Sequence, residues 1–441
     1  MRALRVALVL GGVGVAVLLG CTVNPVTGRS QLDLMGESQE VMLGEQLYPR
    51  YTQSSLGEVA DPELQGYVDG VGVKLAKVSH RPALKYRYNA VNEPAVNAYA
   101  LPGGKVSVTR GLLARMDSED ELAAVLGHET GHVTARHSAQ QYTRGMLANL
   151  ALAGAAVYME VKETEHRELY ALGGLVGAQL IFARYSRDQE RQSDDLGLGY
   201  MVAAGYNPQG MVSLMEVLEE SGRRQPNLIE RMFASHPLSA ERIATARAAV
   251  AAQPADVLAR PLTTRSFLER TRHVRQTRPA FDRLAEARQA LGKGEKTRAR
   301  SLLQQSVDEW PSEGVLRAYL AAAELVLDQP RAAMTNADRA ARDADRVFYP
   351  QVVAGQVFMA NDRFPEALAS LGRADELMSD VPEVSWLRGQ AMEKMGRPKE
   401  AITSYRRVLE LAPADSETAQ RATKRLQALG AGSGPVQGGV R

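Results

Sequence analysis

Two histidines four residues apart, in His128-Glu129-Thr130-Gly131-His132, place the strongest constraint on this chain. On a helix, residues i and i+4 lie on one face, so both imidazoles reach a single point in space. Neutral imidazole nitrogens are good zinc donors, and a catalytic zinc takes three protein ligands and keeps a fourth position for water. The fold must therefore run a helix through 128–132 and bring a third donor from elsewhere. Asp117-Ser118-Glu119-Asp120-Glu121 supplies the start of that helix. Ser118 and Glu121 fit a capping box, and the acidic cluster suits the positive end of the dipole. Leu122, Val125, Leu126 and Val133 give the helix a buried side.

Glu190 and Asp194 are again four apart on a predicted helix. Laid antiparallel to the first helix, this one offers Glu190 as a candidate third ligand. Asp194, one turn on, is a candidate acceptor for the N–H of a ligand histidine, a bond that fixes tautomer and ring direction. The segment also reads as a solvated charged face, because Arg184, Arg187, Asp188, Arg191 and Asp195 crowd it.

Asn97-Ala-Tyr-Ala-Leu-Pro-Gly-Gly104, His128-Glu-Thr-Gly-His-Val-x-x-Arg136-His137 and Glu190-x-x-x-Asp194 together resemble the HtpX/BepA-type gluzincin zinc metallopeptidases, relatives of the prenyl-protein endopeptidases. The resemblance spans roughly 37–250 and keeps the three motifs in order. It implies a zincin-type α+β domain with a small sheet. It also implies one Zn²⁺ per chain held by His128, His132 and Glu190, with Glu129 as general base. The strand around Asn97, Ala98 and Tyr99 is expected beside the cleft, where an extended substrate adds through backbone hydrogen bonds. The family pattern has Ala where Ser193 stands, a small-for-small change. Ser235-His236-Pro237 resembles the segment that closes such domains. His236 is a candidate fourth ligand that replaces the zinc's water in a resting state, or an oxyanion stabiliser, beside a plain loop-positioning role. His137 lies off the ligand face and reads as structural.

The N-terminus reads as a targeting segment. Arg2 and Arg5 precede an apolar, Gly-containing run from Val6 to Leu19 that ends in Leu18-Leu19-Gly20-Cys21. This resembles the lipobox of bacterial lipoprotein precursors, and Cys21 is the only cysteine of the chain. The resemblance implies cleavage before Cys21, lipidation of its thiol and a periplasmic protein anchored in a membrane, the outer one because Thr22 and not Asp follows. Residues 22–36 are expected to be a polar tether. Net charge of +2 gives no nucleic-acid signal, and 5% aromatic residues favour a helix-rich protein. Helices are expected over 37–48 and from Pro62, and strands over 85–92 and 105–109. The apolar runs 146–159 and 169–183 are each shorter than the ~18–20 residues a membrane span needs. They read as a helical hairpin around a charged stretch in which His166 is solvated.

Beyond a basic linker at 252–278 comes a 34-residue repeat. Ala299, Ala333, Ala367 and Ala401 fall in register; Ala287, Ala321, Gly355 and Gly389 stand twelve before; Leu303, Ala337, Leu371 and Tyr405 stand four after. Small residues at a close crossing and a large one between helices are what stacked helix pairs need. The pattern resembles tetratricopeptide repeats over 279–428, with a disordered tail at 429–441.

The expected protein is mainly α: signal peptide 1–21, tether 22–36, metallopeptidase domain 37–251, linker, then an α-solenoid that docks a partner protein or serves as scaffold. The expected function is a lipid-anchored periplasmic zinc endopeptidase for misassembled envelope or outer-membrane proteins. The alternative is a repeat-containing assembly chaperone whose peptidase activity is gated or dispensable.

Overall fold

The structure, a computed structural model, describes residues 21–160 and 184–431. The stretch before Cys21 that reads as a signal peptide, the charged stretch with His166, the second apolar run and the tail from 432 lie outside the described residues. The chain divides into two compact units.

The first unit comprises Met1–Tyr48, Asp61–Ala90 and Ala95–Arg272. It opens with β1 (Cys21–Val23) and β2 (Ser30–Leu32), an antiparallel pair in which Cys21 faces Leu32. Residues 22–36, expected to be a polar tether, carry these strands. Their polar groups are pinned by buried partners: Asn24 Nδ2 donates to the Ala135 carbonyl at 3.2 Å, and Arg136 Nη2 donates to the Met35 carbonyl at 2.6 Å. Helix α1 (Glu37–Ser54) outruns the expected 37–48, and α2 (Pro62–Lys77) starts where Asp61 caps two backbone amides.

Strands β3 (Arg87–Val91), β4 (Ala98–Leu101) and β5 (Lys105–Thr109) form a sheet in the order β3-β5-β4. Central β5 is buried throughout, and β4 pairs antiparallel with it and forms one edge. Helix α3 (Glu119–Thr134) runs through the middle of the unit, with all of its residues buried. Its start follows from Ser118 Oγ, which accepts from the Glu121 amide at 3.2 Å; the reciprocal bond of Glu121 goes to the Asp117 amide at 2.9 Å. At its other end Arg136 takes a positive φ of 58° and turns the chain into α4 (His137–Glu160). Arg81 Nη1 donates to the Val133 carbonyl at 3.0 Å, and buried Glu40 pairs with both Arg81 and Arg136. These three buried charges are matched, which is the condition for keeping them out of water.

Helix α5 (Arg187–Ala203) crosses α3 at very short range. A Cβ at Gly197 would stand 2.8 Å from the His128 amide nitrogen, and one at Gly131 would stand 3.0 Å from the Ser193 carbonyl oxygen. Helices α6 (Gln209–Arg224), α7 (Pro226–Ser235) and α8 (Ala240–Ala251) complete the unit's α layer. Among the described residues no helix is long and apolar enough to cross a membrane. The stretch read as a linker carries short helices at Ala255–Leu258, Arg265–Arg270 and Arg272–Gln276, and it buries Val257, Phe267 and Val274.

The second unit comprises His273–Arg441 with two pieces from earlier in the chain, Pro49–Ala60 and Val91–Pro94. Both pieces fall inside the 37–251 range expected for the metallopeptidase domain. Here Leu56 is buried in one cluster with Phe281, Leu284 and Leu316, and Glu93 pairs with Arg288 at 2.9 Å. The repeat itself is built as four helix pairs: α9 (Arg278–Gly292) with α10 (Lys296–Glu309), α11 (Gly314–Val326) with α12 (Pro330–Asp343), α13 (Phe348–Ala360) with α14 (Phe364–Leu377), and α15 (Pro382–Lys394) with α16 (Pro398–Leu411). Helix α17 (Glu417–Ala428) follows them. Gly294, Asp328, Asp362 and Gly396, each 34 residues from the next, all take positive φ at the turn inside a pair. Gly and, less often, Asp tolerate that conformation. Within the last pair a Cβ on Gly389 would lie 2.5 Å from Tyr405 Cε1. Replacing Gly389 by Leu is expected to cost about 1–3 kcal/mol by overpacking. Thermal unfolding followed by circular dichroism should show that loss, with zinc content unchanged.

Candidate metal centre

Helix α3 supplies His128 and His132 from one face, as their spacing requires. Their Nε2 atoms stand 3.1 Å apart. Helix α5 is set by a capping box, in which Ser186 Oγ accepts from the Gln189 amide and the Gln189 side chain accepts from the Ser186 amide. That cap puts Glu190 in the first turn, aimed at α3. Its Oε1 lies 3.4 Å from His132 Nε2. His236, just beyond the end of α7, brings Nδ1 to 2.9 Å from Glu190 Oε1 and 3.4 Å from His128 Nε2. One donor atom from each of His128, His132, Glu190 and His236 lies within 4.8 Å of the others, and all four residues are buried. Three imidazoles and one carboxylate in this arrangement fit one zinc ion. Glu129 is fully buried beside them, and neither carboxylate oxygen makes a hydrogen bond. An ionisable group left that way in an interior is costly unless a bound group engages it.

The outer nitrogens of the histidines are also committed. His128 Nδ1 donates to Asp194 Oδ1 at 2.9 Å. His132 Nδ1 lies 2.9 Å from His137 Nδ1, and His137 Nε2 lies 3.0 Å from Gln192 Oε1. The amide oxygen of Gln192 only accepts, so His137 Nε2 carries a proton and donates it. A neutral His137 then offers Nδ1 as acceptor to His132 Nδ1–H, leaving His132 Nε2 free for a metal. Burial pushes His137 down to about 4 and His132 well below the ordinary range, which keeps both neutral. Burial pushes Glu190 up, but hydrogen bonds from His132 and His236 outweigh it and hold the carboxyl well below its usual range. For His236 burial acts downward, and Glu129 with Glu190 raises it overall.

The expected site residues His128, His132, Glu129, Glu190, Asp194 and His236 are therefore brought together. Asn97, Ala98 and Tyr99 lie outside the donor cluster. Ala98 and Tyr99 belong to edge strand β4, which packs against α3, and Asn97 precedes them and bonds with Thr109. Cys21 begins β1. His137, which reads from sequence as structural, lies outside the four-donor cluster and contacts the outer nitrogen of His132. Three participants were not foreseen. Gln192 fixes His137. Tyr185 stacks on His132 with ring centroids 3.9 Å apart. Arg242 pairs with both Glu190 and Asp194. Only Arg242 left a trace in the sequence, as a cation in a helix's first turn. An apolar cavity lined by Met211, Leu214, Met215 and Leu218 lies beside His128 and His236.

Residues 62–250 match the model of peptidase family M48, and residues 382–415 match that of the tetratricopeptide repeat. The beta-barrel assembly-enhancing protease of Escherichia coli K12 is 28% identical over 55% of this chain and 50% of its own length. The mitochondrial metalloendopeptidase OMA1 of Schizosaccharomyces pombe is 32% identical over 46% of this chain and 56% of its own. The chain thus spans about half the length of the curated relatives it matches. A thermophilic TPR protein of Thermus thermophilus aligns at 23% identity over 37% of this chain and 88% of that one, with a TM-score of 0.31.

Removing the outer partner of a ligand histidine weakens metal binding about 10- to 100-fold. His137→Ala is expected to do so while leaving the four donors in place, as a zinc titration against a competing chelator will show.

Proposed function

With residues 62–250 a peptidase family M48 domain, we propose that this protein is a zinc metalloendopeptidase of the bacterial envelope. The observation that carries the reading is a buried carboxylate without hydrogen bonds, Glu129, beside the converging donors of His128, His132 and Glu190. A zinc ion held there supplies Lewis-acid polarisation of the scissile carbonyl and makes water a stronger acid. Glu129 accepts the proton of the attacking water and delivers it to the leaving amine. Asp194 and His137 keep the two imidazoles in the tautomers that present Nε2. The edge position of β4 supports substrate capture as an added strand along Asn97, Ala98 and Tyr99. This favours unfolded or loop segments over any one side chain.

The substrates are misassembled outer-membrane proteins. The beta-barrel assembly-enhancing proteases among the relatives support that choice. The repeats dock the substrate or a partner protein. Lipidation of Cys21 holds the protein on the periplasmic face of the outer membrane. The folded hairpin that follows Cys21 then keeps the metal centre close to the bilayer, because no slack chain intervenes. The second reading is an assembly chaperone with a gated peptidase. It is favoured by one observation: His236 contributes a fourth donor to an already buried set.

Glu129→Gln is expected to retain zinc and lose about 10²- to 10⁴-fold in peptide hydrolysis. Rescue of a deletion strain by this variant would favour the chaperone reading. In the same assay His236→Ala raises the rate if His236 gates and lowers it if it stabilises the oxyanion; an unchanged rate removes both roles. Cys21→Ser is expected to move the protein from the membrane to the soluble periplasmic fraction, and persistence in the membrane would overturn the anchor.

A further inference from the structure

Arg242 stands where local helix physics disfavours a cation. It is the third residue of α8, its amide donates to the N-cap Ser239 Oγ at 3.2 Å, and the helix N-terminus carries partial positive charge. Nothing in the helix rewards that placement, so its cause lies in the tertiary surroundings. The side chain is mostly buried, and its donors run in three directions. Nε and Nη2 form a fork on Asp194, at 2.8 Å to Oδ2 and 2.7 Å to Oδ1. Nη1 makes an ion pair with Glu190 Oε2 at 2.6 Å and donates to the Pro237 carbonyl at 2.9 Å. One guanidinium therefore touches the candidate third ligand, the carboxylate behind His128, and the backbone next to His236.

Charge balance points the same way. Glu129, Glu190 and Asp194 bring three negative charges into one region of the interior, and a divalent ion offsets two of them. Arg242 is the cation paired with two of these carboxylates, and its charge neutralises the third. Geometry adds a finer consequence. A free carboxylate binds a metal through one oxygen or through both. Oε2 is held at 2.6 Å by Arg242 and stands 3.8 Å from His128 Nε2, while the oxygen facing His132 and His236, at 3.4 and 2.9 Å, is Oε1. A lysine offers a compact point charge and cannot hold the Asp194 fork, Oε2 and the Pro237 carbonyl together.

We propose that Arg242 is the positioning residue of the metal centre: it makes Glu190 a one-oxygen ligand, locks Asp194 onto His128, and ties both to the segment that carries His236. The proposal rests on the zinc-peptidase reading. It assigns Arg242 no contact with substrate.

The test uses the full chain with Arg242→Lys and Arg242→Gln, each loaded with zinc or with cobalt(II). Zinc affinity by chelator competition is expected to fall about 10- to 100-fold in both variants. The visible bands of the cobalt protein are expected to lose intensity as Glu190 turns to bind through both oxygens. kcat should fall with KM little changed. Wild-type affinity, cobalt spectrum and kcat in Arg242→Lys would overturn the proposal. Asp194→Asn keeps Arg242 but weakens its fork, and carries the same question if the Arg242 variants do not fold: reduced affinity with altered cobalt bands supports the proposal, and wild-type values sink it. If the unmutated protein takes up no zinc, or if Glu129→Gln stays fully active, the peptidase reading itself fails, an outcome separate from these.

Discussion

The close crossing of α3 and α5 is the constraint on which the metal centre depends. Gly127 and Gly131 on one helix face Gly197 and Ser193 on the other, with no room for a larger side chain at the contact. That separation lets a short carboxylate, Glu190, reach His132 directly. One turn along the same helix, Asp194 reaches the far nitrogen of His128. A single helix thus serves the inner side of the donor set and the outer side of one donor. Ser193 is accommodated because it is small; its backbone, with its neighbours, forms the floor on which Gly131 rests.

Burying so many ionisable groups together is expensive unless each is paired. The centre meets that condition in layers for every group but Glu129, whose carboxylate makes no hydrogen bond. Imidazole faces carboxylate inside, and Asp194 and His137 hold the outer nitrogens. Arg242 and Gln192 then hold those partners in turn. A second matched network closes the end of α3, where Arg81 and Arg136 share Glu40 and draw in the hairpin after Cys21. The rigidity of the histidine pair comes from both ends of its helix being tied by charge-assisted bonds rather than from helix propensity.

The repeat unit follows a simpler rule. Its crossings need a small residue opposite a large one every 34 residues, and its turns need a residue that accepts positive φ. Gly355 against Leu371 and Gly389 against Tyr405 show the first requirement, and Gly294 and Gly396 the second. The borrowed pieces Pro49–Ala60 and Val91–Pro94 obey no such period. They join this unit through Leu56, buried in its apolar cluster, and Glu93, which pairs with Arg288.

Periodic and local features were legible in the sequence: the i, i+4 histidine pair, the Ser118 cap, the Pro62 start and the 34-residue register of the solenoid. Each depends on interactions within a few residues or on a repeating contact, so spacing alone encodes it. Motif order named Glu190, Asp194 and His236, but not their partners. Whether Glu190 and Asp194 form a solvated face or a buried pair is decided by which helix lies opposite. Arg242, Tyr185, Gln192 and the orienting role of His137 emerge only when separate segments meet, since a single residue carries no period. The folding of 22–36 is of the same kind: a polar stretch becomes ordered because Arg136 and the Ala135 carbonyl, more than a hundred residues away, satisfy groups that water would otherwise hold. The sequence by itself determined the histidine pair and the repeat; tertiary structure decided what gathers around that pair, because charge pairing and close packing are properties of neighbours in space.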